Sequence, residues 1–175
     1  MGACKVGKAL VLGLGNILLS DEGLGVRVVQ RLEESYRFPP EIQVMDGGTL
    51  GLDLLPYLEG VDHLLVIDAL EMGEEPGTVT RLVGDEVPAS LSVKISPHQM
   101  GLADLLAAAR LQGLYPQEVV LLGMQPGSIE TGLDLSPPVE SQVDRLIDEV
   151  LMELRGWGYE PCRREGTSTI RCEAK

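Results

Sequence analysis

The sequence predicts an α/β domain: a three-layer sandwich in which a mostly parallel, twisted sheet carries helices on both faces. Three observations predict it. Short apolar runs that end in Gly or Asp alternate with segments of helical period. Hydrophobic residues make up 44% of the chain but aromatic residues only 3%, so the core is built from Leu, Val, Ile and Ala. Those side chains suit a parallel sheet buried on both faces. The length of 175 residues fills one such domain and is short for two. Residues 1–156 are read as the domain and residues 157–175 as a polar, mobile C-terminal tail.

The elements follow in order. Residues 9–14 form an apolar run ending near Gly, a buried strand, with residues 16–21 as the loop behind it. Leu24, Val28, Val29 and Leu32 recur at helical spacing, which predicts a helix over residues 22–35 with Asp21 as its N-cap. Residues 41–45 read as a second strand, closed by Asp46-Gly47-Gly48-Thr49, and residues 51–58 as a short helix interrupted by Pro56. His63-Leu64-Leu65-Val66-Ile67 is the plainest buried strand, ended by Asp68. Residues 78–83 alternate weakly, as an edge strand does. Ser96-Pro97-His98-Gln99-Met100 is a loop leading into an Ala- and Leu-rich helix over residues 101–111. Residues 118–123 form another strand. Pro137-Pro138 opens a long amphipathic helix to about Leu154, with Val139, Val143, Leu146, Ile147, Val150, Leu151 and Leu154 on one side.

Composition excludes several classes. A formal net charge of −13 repels phosphate backbones and anionic lipid, so neither nucleic acid nor a membrane surface is an expected partner. Cys4, Cys162 and Cys172 are odd in number and lie near the chain ends, which fits a reducing compartment rather than a disulfide framework. Lys5 and Lys8 before the apolar run imitate a leader peptide. Gly13, Gly15 and Asn16 interrupt that run, Asp21-Glu22 closes it, and no cleavage pattern follows. Val6 stands where a myristoylation signal needs Ser or Thr. A cytoplasmic location and a monomer are the expectations.

Two features bear on chemistry. Gly13-Leu14-Gly15-Asn16-Ile17-Leu18 follows a strand, as a dinucleotide-binding turn does, but Leu18 replaces the third glycine. Asp21 and Glu22 at the helix entrance would repel a pyrophosphate. No Gly-Lys-Ser/Thr loop and no Gly-x-Ser-x-Gly elbow is present. The alternative role of these glycines is a tight turn. The second feature is the placement of Glu22 after the first strand, Asp68 at a strand's carboxyl end and His98 just before a helix. Open α/β sheets build their sites at the carboxyl ends of strands, so the three can converge there. Two carboxylates and an imidazole suit nickel, zinc or a similar ion with positions left open. Each also has a plain role: Glu22 as a first-turn helix carboxylate, Asp68 in a turn, His98 on the surface. His63, the other histidine, opens a strand, where packing is the expected role.

Taken together, residues 11–27 (VLGLGNILLSDEGLGVR), 46–49 (DGGT), 64–69 (LLVIDA), 95–102 (ISPHQMGL) and 121–126 (LLGMQP) resemble the hydrogenase maturation endopeptidases, in the expected order and over residues 9–155. The resemblance implies a twisted sheet between helices and metal-binding positions at Glu22, Asp68 and His98. It also implies a substrate: the large-subunit precursor of a nickel–iron hydrogenase, trimmed of a short C-terminal peptide after nickel insertion. The nickel would then be supplied by the precursor. Two mechanisms stay open at this point. The three residues engage that nickel, or a carboxylate, Asp46 or Asp68, acts as general base. The family is also grouped with aspartic peptidases, although one Asp-Gly-Gly-Thr does not make a two-aspartate dyad. A nickel chaperone without catalysis and a small-molecule hydrolase on the same scaffold are the alternatives.

Overall fold

Residues 7–91 and 97–164 are described by a computed structural model, the side chains of residues 91–100 excepted. A five-stranded sheet is the centre of the domain. Its strands are β1 (Ala9–Leu14), β3 (Ile42–Gly48), β4 (His63–Ala69), β5 (Val79–Val83) and β6 (Glu118–Met124), in the order β3-β1-β4-β6-β5. All neighbours run parallel except β5, which pairs antiparallel with β6 at the edge. The weak alternation expected of residues 78–83 therefore marks a true edge strand.

Strand pleating divides the core into two layers. On one face Val11, Leu65, Ile67, Val120 and Leu122 pack with helices α1 (Leu24–Ser35) and α5 (Val143–Gly156). On the other, Leu10, Leu12, Leu64, Val66 and Leu121 pack with a 3-10 helix, Gly51–Leu58, and with α3 (Pro97–Gln112). The three-layer α/β sandwich of the sequence analysis is thus the fold found. Among the described residues no helix is long and apolar enough to cross a membrane.

Four local expectations need correction. The helix expected from Glu22 starts at Leu24, because residues Ser20–Gly23 form a 3-10 turn and Asp21 makes no N-cap bond. Asp68 does not end its strand: β4 runs on to Ala69, since Asp68 keeps its place opposite Gly123 of β6. The helix expected from Pro137 is two, α4 (Pro137–Glu140) and α5, with all seven apolar residues of the expected stripe buried. A short helix, α2 (Glu86–Leu91), escaped the sequence reading.

The tail boundary also moves. Trp157 stacks on His63 with ring centroids 4.8 Å apart, and its indole N–H donates to Glu118. The Tyr159 hydroxyl donates to the Gly7 carbonyl at 2.9 Å and lies 3.0 Å from His63 Nδ1. Burial pushes its phenol pKa above 10.0, helped by the nearby charges of Asp62 and Glu41. A two-residue strand, β7 (Cys162–Arg163), then pairs with β2 (Tyr36–Arg37). Residues 157–164 of the expected tail thus pack on the domain. A scan for apolar period misses this, because two aromatic plugs and a short strand have no period. His63 has the packing role expected of it. Cys162 is exposed on β7, while Cys4 and Cys172 lie outside the described residues. Tyr159 is only 3% exposed, so Tyr159→Ala is expected to cost about 3 kcal/mol, read from chemical denaturation.

Candidate active site

The chain order of the sheet fixes where a site can form. From β1 the chain crosses through α1 to β3 on one side, and the next strand, β4, pairs with β1 on the other. The order therefore reverses between β1 and β4, and the crevice at their carboxyl ends is the natural binding position of an open α/β sheet.

Glycines bring Glu22 to that crevice. A Cβ on Gly13 would stand 2.2 Å from the Gly25 carbonyl oxygen, and one on Gly25 would stand 2.1 Å from the Ile67 oxygen. Backbone of α1 thus lies directly against β1 and β4. Gly15 has φ +126° and a Cβ there would meet the Glu22 carbonyl at 1.7 Å. These glycines serve close backbone approach, the tight-turn role set beside the nucleotide reading above. The 3-10 turn Ser20–Gly23 packs against β4, and half-buried Glu22 follows from it.

Asp68 is fully buried. It shares a pleat with Leu64 and Val66, so by strand alternation it faces the layer of α3 and Gly51–Leu58. His98, expected in a loop just before a helix, is instead the second residue of α3, the helix that packs in that same layer; its side chain is outside the described residues. A glycine contact seats this helix start. A Cβ on Gly101 would lie 3.0 Å from the Gly51 Cα, so α3 and the Gly51–Leu58 helix touch backbone to backbone. Gly51 and Gly101 are accounted for in this way. The structure therefore brings Glu22 and Asp68 to the ends of β1 and β4 and starts the His98 helix on the Asp68 side.

Asp46 stands apart from them. It pairs with Gly13, which pairs in turn with Ile67, so Asp46 lies across β1 from the Asp68 strand. Strand spacing makes that about 10 Å between backbones. Its parity is that of Ile42 and Val44, which pack on the α1 face. Asp46 and Asp68 therefore leave the sheet on opposite faces. Asp46 is exposed, and its Oδ1 accepts the Gly48 N–H at 2.9 Å, closing a turn in which Gly48 has φ +45°.

Two buried polar residues here have roles that the sequence did not show. Asp21 is completely buried and accepts hydrogen bonds from the loop before α4. Gln125 accepts the N–H groups of Met72 and Glu74 at 2.7 and 3.2 Å and donates to Glu71 at 2.8 Å, tying down the loop after β4. The only sequence signal was a polar residue directly beside each strand-end motif.

Fold and carboxylate placement together fit an α/β enzyme with a candidate site at the switch point of a parallel sheet. Comparison with known proteins narrows this. A family model described as hydrogenase maturation protease matches residues 26–153. The hydrogenase 2 maturation protease of Escherichia coli K12 is 45% identical over 159 residues, covering 90% of this chain and 97% of that one. The hydrogenase expression/formation protein HupD of Rhodobacter capsulatus is also 45% identical, covering 91% and 77%. The solved hydrogenase maturating endopeptidase HybD from E. coli superposes with a TM-score of 0.87 at 44% identity, covering 90% of this chain and 98% of its own. A [NiFe] hydrogenase maturation protease from Thermococcus kodakarensis gives 0.70 at 30% identity, covering 84% and 98%. The chain belongs to the hydrogenase maturation protease family and is an endopeptidase.

Proposed function

We propose that this endopeptidase removes a short C-terminal peptide from the nickel-loaded large-subunit precursor of a nickel–iron hydrogenase, in the cytoplasm, with Glu22, Asp68 and His98 engaging the precursor's nickel. One observation carries the site assignment: Glu22 and Asp68, far apart in sequence, come to the ends of the two strands that flank the switch point. His98 supplies a nitrogen donor at the start of α3. Oxygen and nitrogen donors of this kind suit nickel. The nickel is substrate cargo; it polarises a nearby carbonyl or acidifies a bound water.

The protein's own part is to present donors and exclude water. Burial of Asp68 strengthens its attraction for a cation, because fewer waters screen it. Around the crevice, Ile17, Leu18, Leu50, Ile129 and Leu133 are exposed apolar side chains. Such a rim suits a polypeptide substrate better than a small polar molecule. In the carboxylate mechanism that needs no nickel, the base is Asp68 or the exposed Asp46, one strand beyond β1.

Nickel dependence separates the two mechanisms. Precursor carrying nickel is expected to be cut and precursor made without it to resist, followed by gel shift over time. Equal rates on both forms would remove nickel from recognition and leave the carboxylate mechanism.

A further inference from the structure

We propose that Asp21 is a positioning residue for the reaction: it clasps the turn that carries Glu22 to the loop of residues 126–136. The proposal rests on the reading that Glu22 belongs to the site. Asp21 is completely buried, yet its side chain is surrounded by donors. Its Oδ2 accepts the N–H groups of Gly127 at 2.8 Å and Ser128 at 2.9 Å and the hydroxyl of Ser136 at 2.6 Å. Its Oδ1 accepts the Ser136 N–H at 2.6 Å. Four donors converge on one carboxylate, so the position calls for a side chain with two accepting oxygens, which at this size means Asp. Asn would turn an N–H toward a donor.

Backbone bonds run the same way. Ser20 N–H donates to Gly132 at 2.8 Å, Gly132 N–H to Leu18 at 2.9 Å, and Asp21 N–H to Ser128 at 3.1 Å. Arg27 of α1 adds a bond to the Leu133 carbonyl. The clasp holds a turn that is unfavourable alone: Ser20, a non-glycine residue, has φ +48°. Such a conformation persists only where the surroundings determine it. Glu22 is the next residue after the clasp, its own amide bonded to the Leu19 carbonyl at 3.1 Å. An anchored Asp21 leaves Glu22 little freedom to swing away from the crevice. A catalytic donor is effective only when held to within a fraction of an ångström by a supporting shell.

The test uses the full chain, with Asp21→Asn, Ser136→Ala and their combination, on nickel-loaded precursor. Asp21→Asn is expected to lower kcat per folded molecule by about 100-fold, the scale of a displacement of about 1 Å, with KM little changed. Ser136→Ala removes one of the four bonds and shifts kcat less, in the same direction. The double variant should be no worse than Asp21→Asn alone, because both act through one contact. Unchanged kcat per folded molecule with a lowered thermal midpoint would overturn the proposal. If Asp21→Asn does not fold, Ser136→Ala decides by the same criterion. If the wild type leaves the precursor uncut, the protease reading fails separately. Hydrogen exchange at the Glu22 amide then decides: faster exchange in the variants supports the clasp, and equal exchange overturns it.

Discussion

Glu22→Gln, Asp68→Asn and His98→Ala will each lower cleavage of nickel-loaded precursor by roughly 100- to 1,000-fold, the usual cost of removing one preorganised group from a site. The first two keep size and shape while removing the charge that attracts a cation. The third removes the nitrogen donor. Stability will stay within about 1 kcal/mol of wild type for the two carboxylate variants. Neutralising fully buried Asp68 lifts the cost of holding a charge away from water, which offsets what its bonds contribute. Effects are expected to be far from additive, since groups that act on one ion fail together. A residue that served only to cap a turn would behave in the opposite way, losing about 1 kcal/mol of stability with activity kept. Thermal melts beside cleavage rates separate the two outcomes for each residue.

Gly25→Ala is expected to destabilise as much as the loss of Tyr159, by about 3 kcal/mol, read as a fall of about 10 °C in Tm. The added methyl would sit 2.1 Å from the Ile67 oxygen and 2.4 Å from the Leu14 oxygen. Both are backbone atoms of central strands, so no side chain can yield. The helix must lift off β4 and take the Glu22 turn with it, so cleavage should fall along with stability. Gly156→Ala is the control: nothing lies within 4 Å of the new methyl, and its helical position predicts stability at or slightly above wild type. A Gly25→Ala protein that melts with the wild type would show that α1 does not rest on the strands as closely as described.

How much of this was legible in the sequence depends on the kind of interaction. Elements with strong apolar pattern were plain: the run through Leu64 to Ile67 and the stripe from Val139 to Leu154 pack as their periods require. The helix break at Ser141-Gln142 was not, because the stripe continues on both sides of it. Glu22, Asp68 and His98 stand out in the sequence only as candidates, because a residue type fit for a ligand lies near each strand end or helix start. That Asp46 leaves the opposite face of the sheet from Asp68 requires the register of β1 and β3, which no local pattern carries. Asp21 was read as a helix cap because capping is a local rule. Its true partners, Gly127, Ser128 and Ser136, lie more than 100 residues away. Trp157 and Tyr159 escaped for the same reason: their value lies in contacts with His63 and Gly7 across the sheet edge.

The most direct test of the central claim is the intact mass of a nickel-loaded hydrogenase large-subunit precursor after incubation with this protein, run beside the Asp68→Asn variant. The expected result is one discrete loss of mass, matching a single C-terminal peptide, with the wild type and none with the variant. A precursor whose mass is unchanged by the wild type, or is shortened equally by both proteins, would contradict the account.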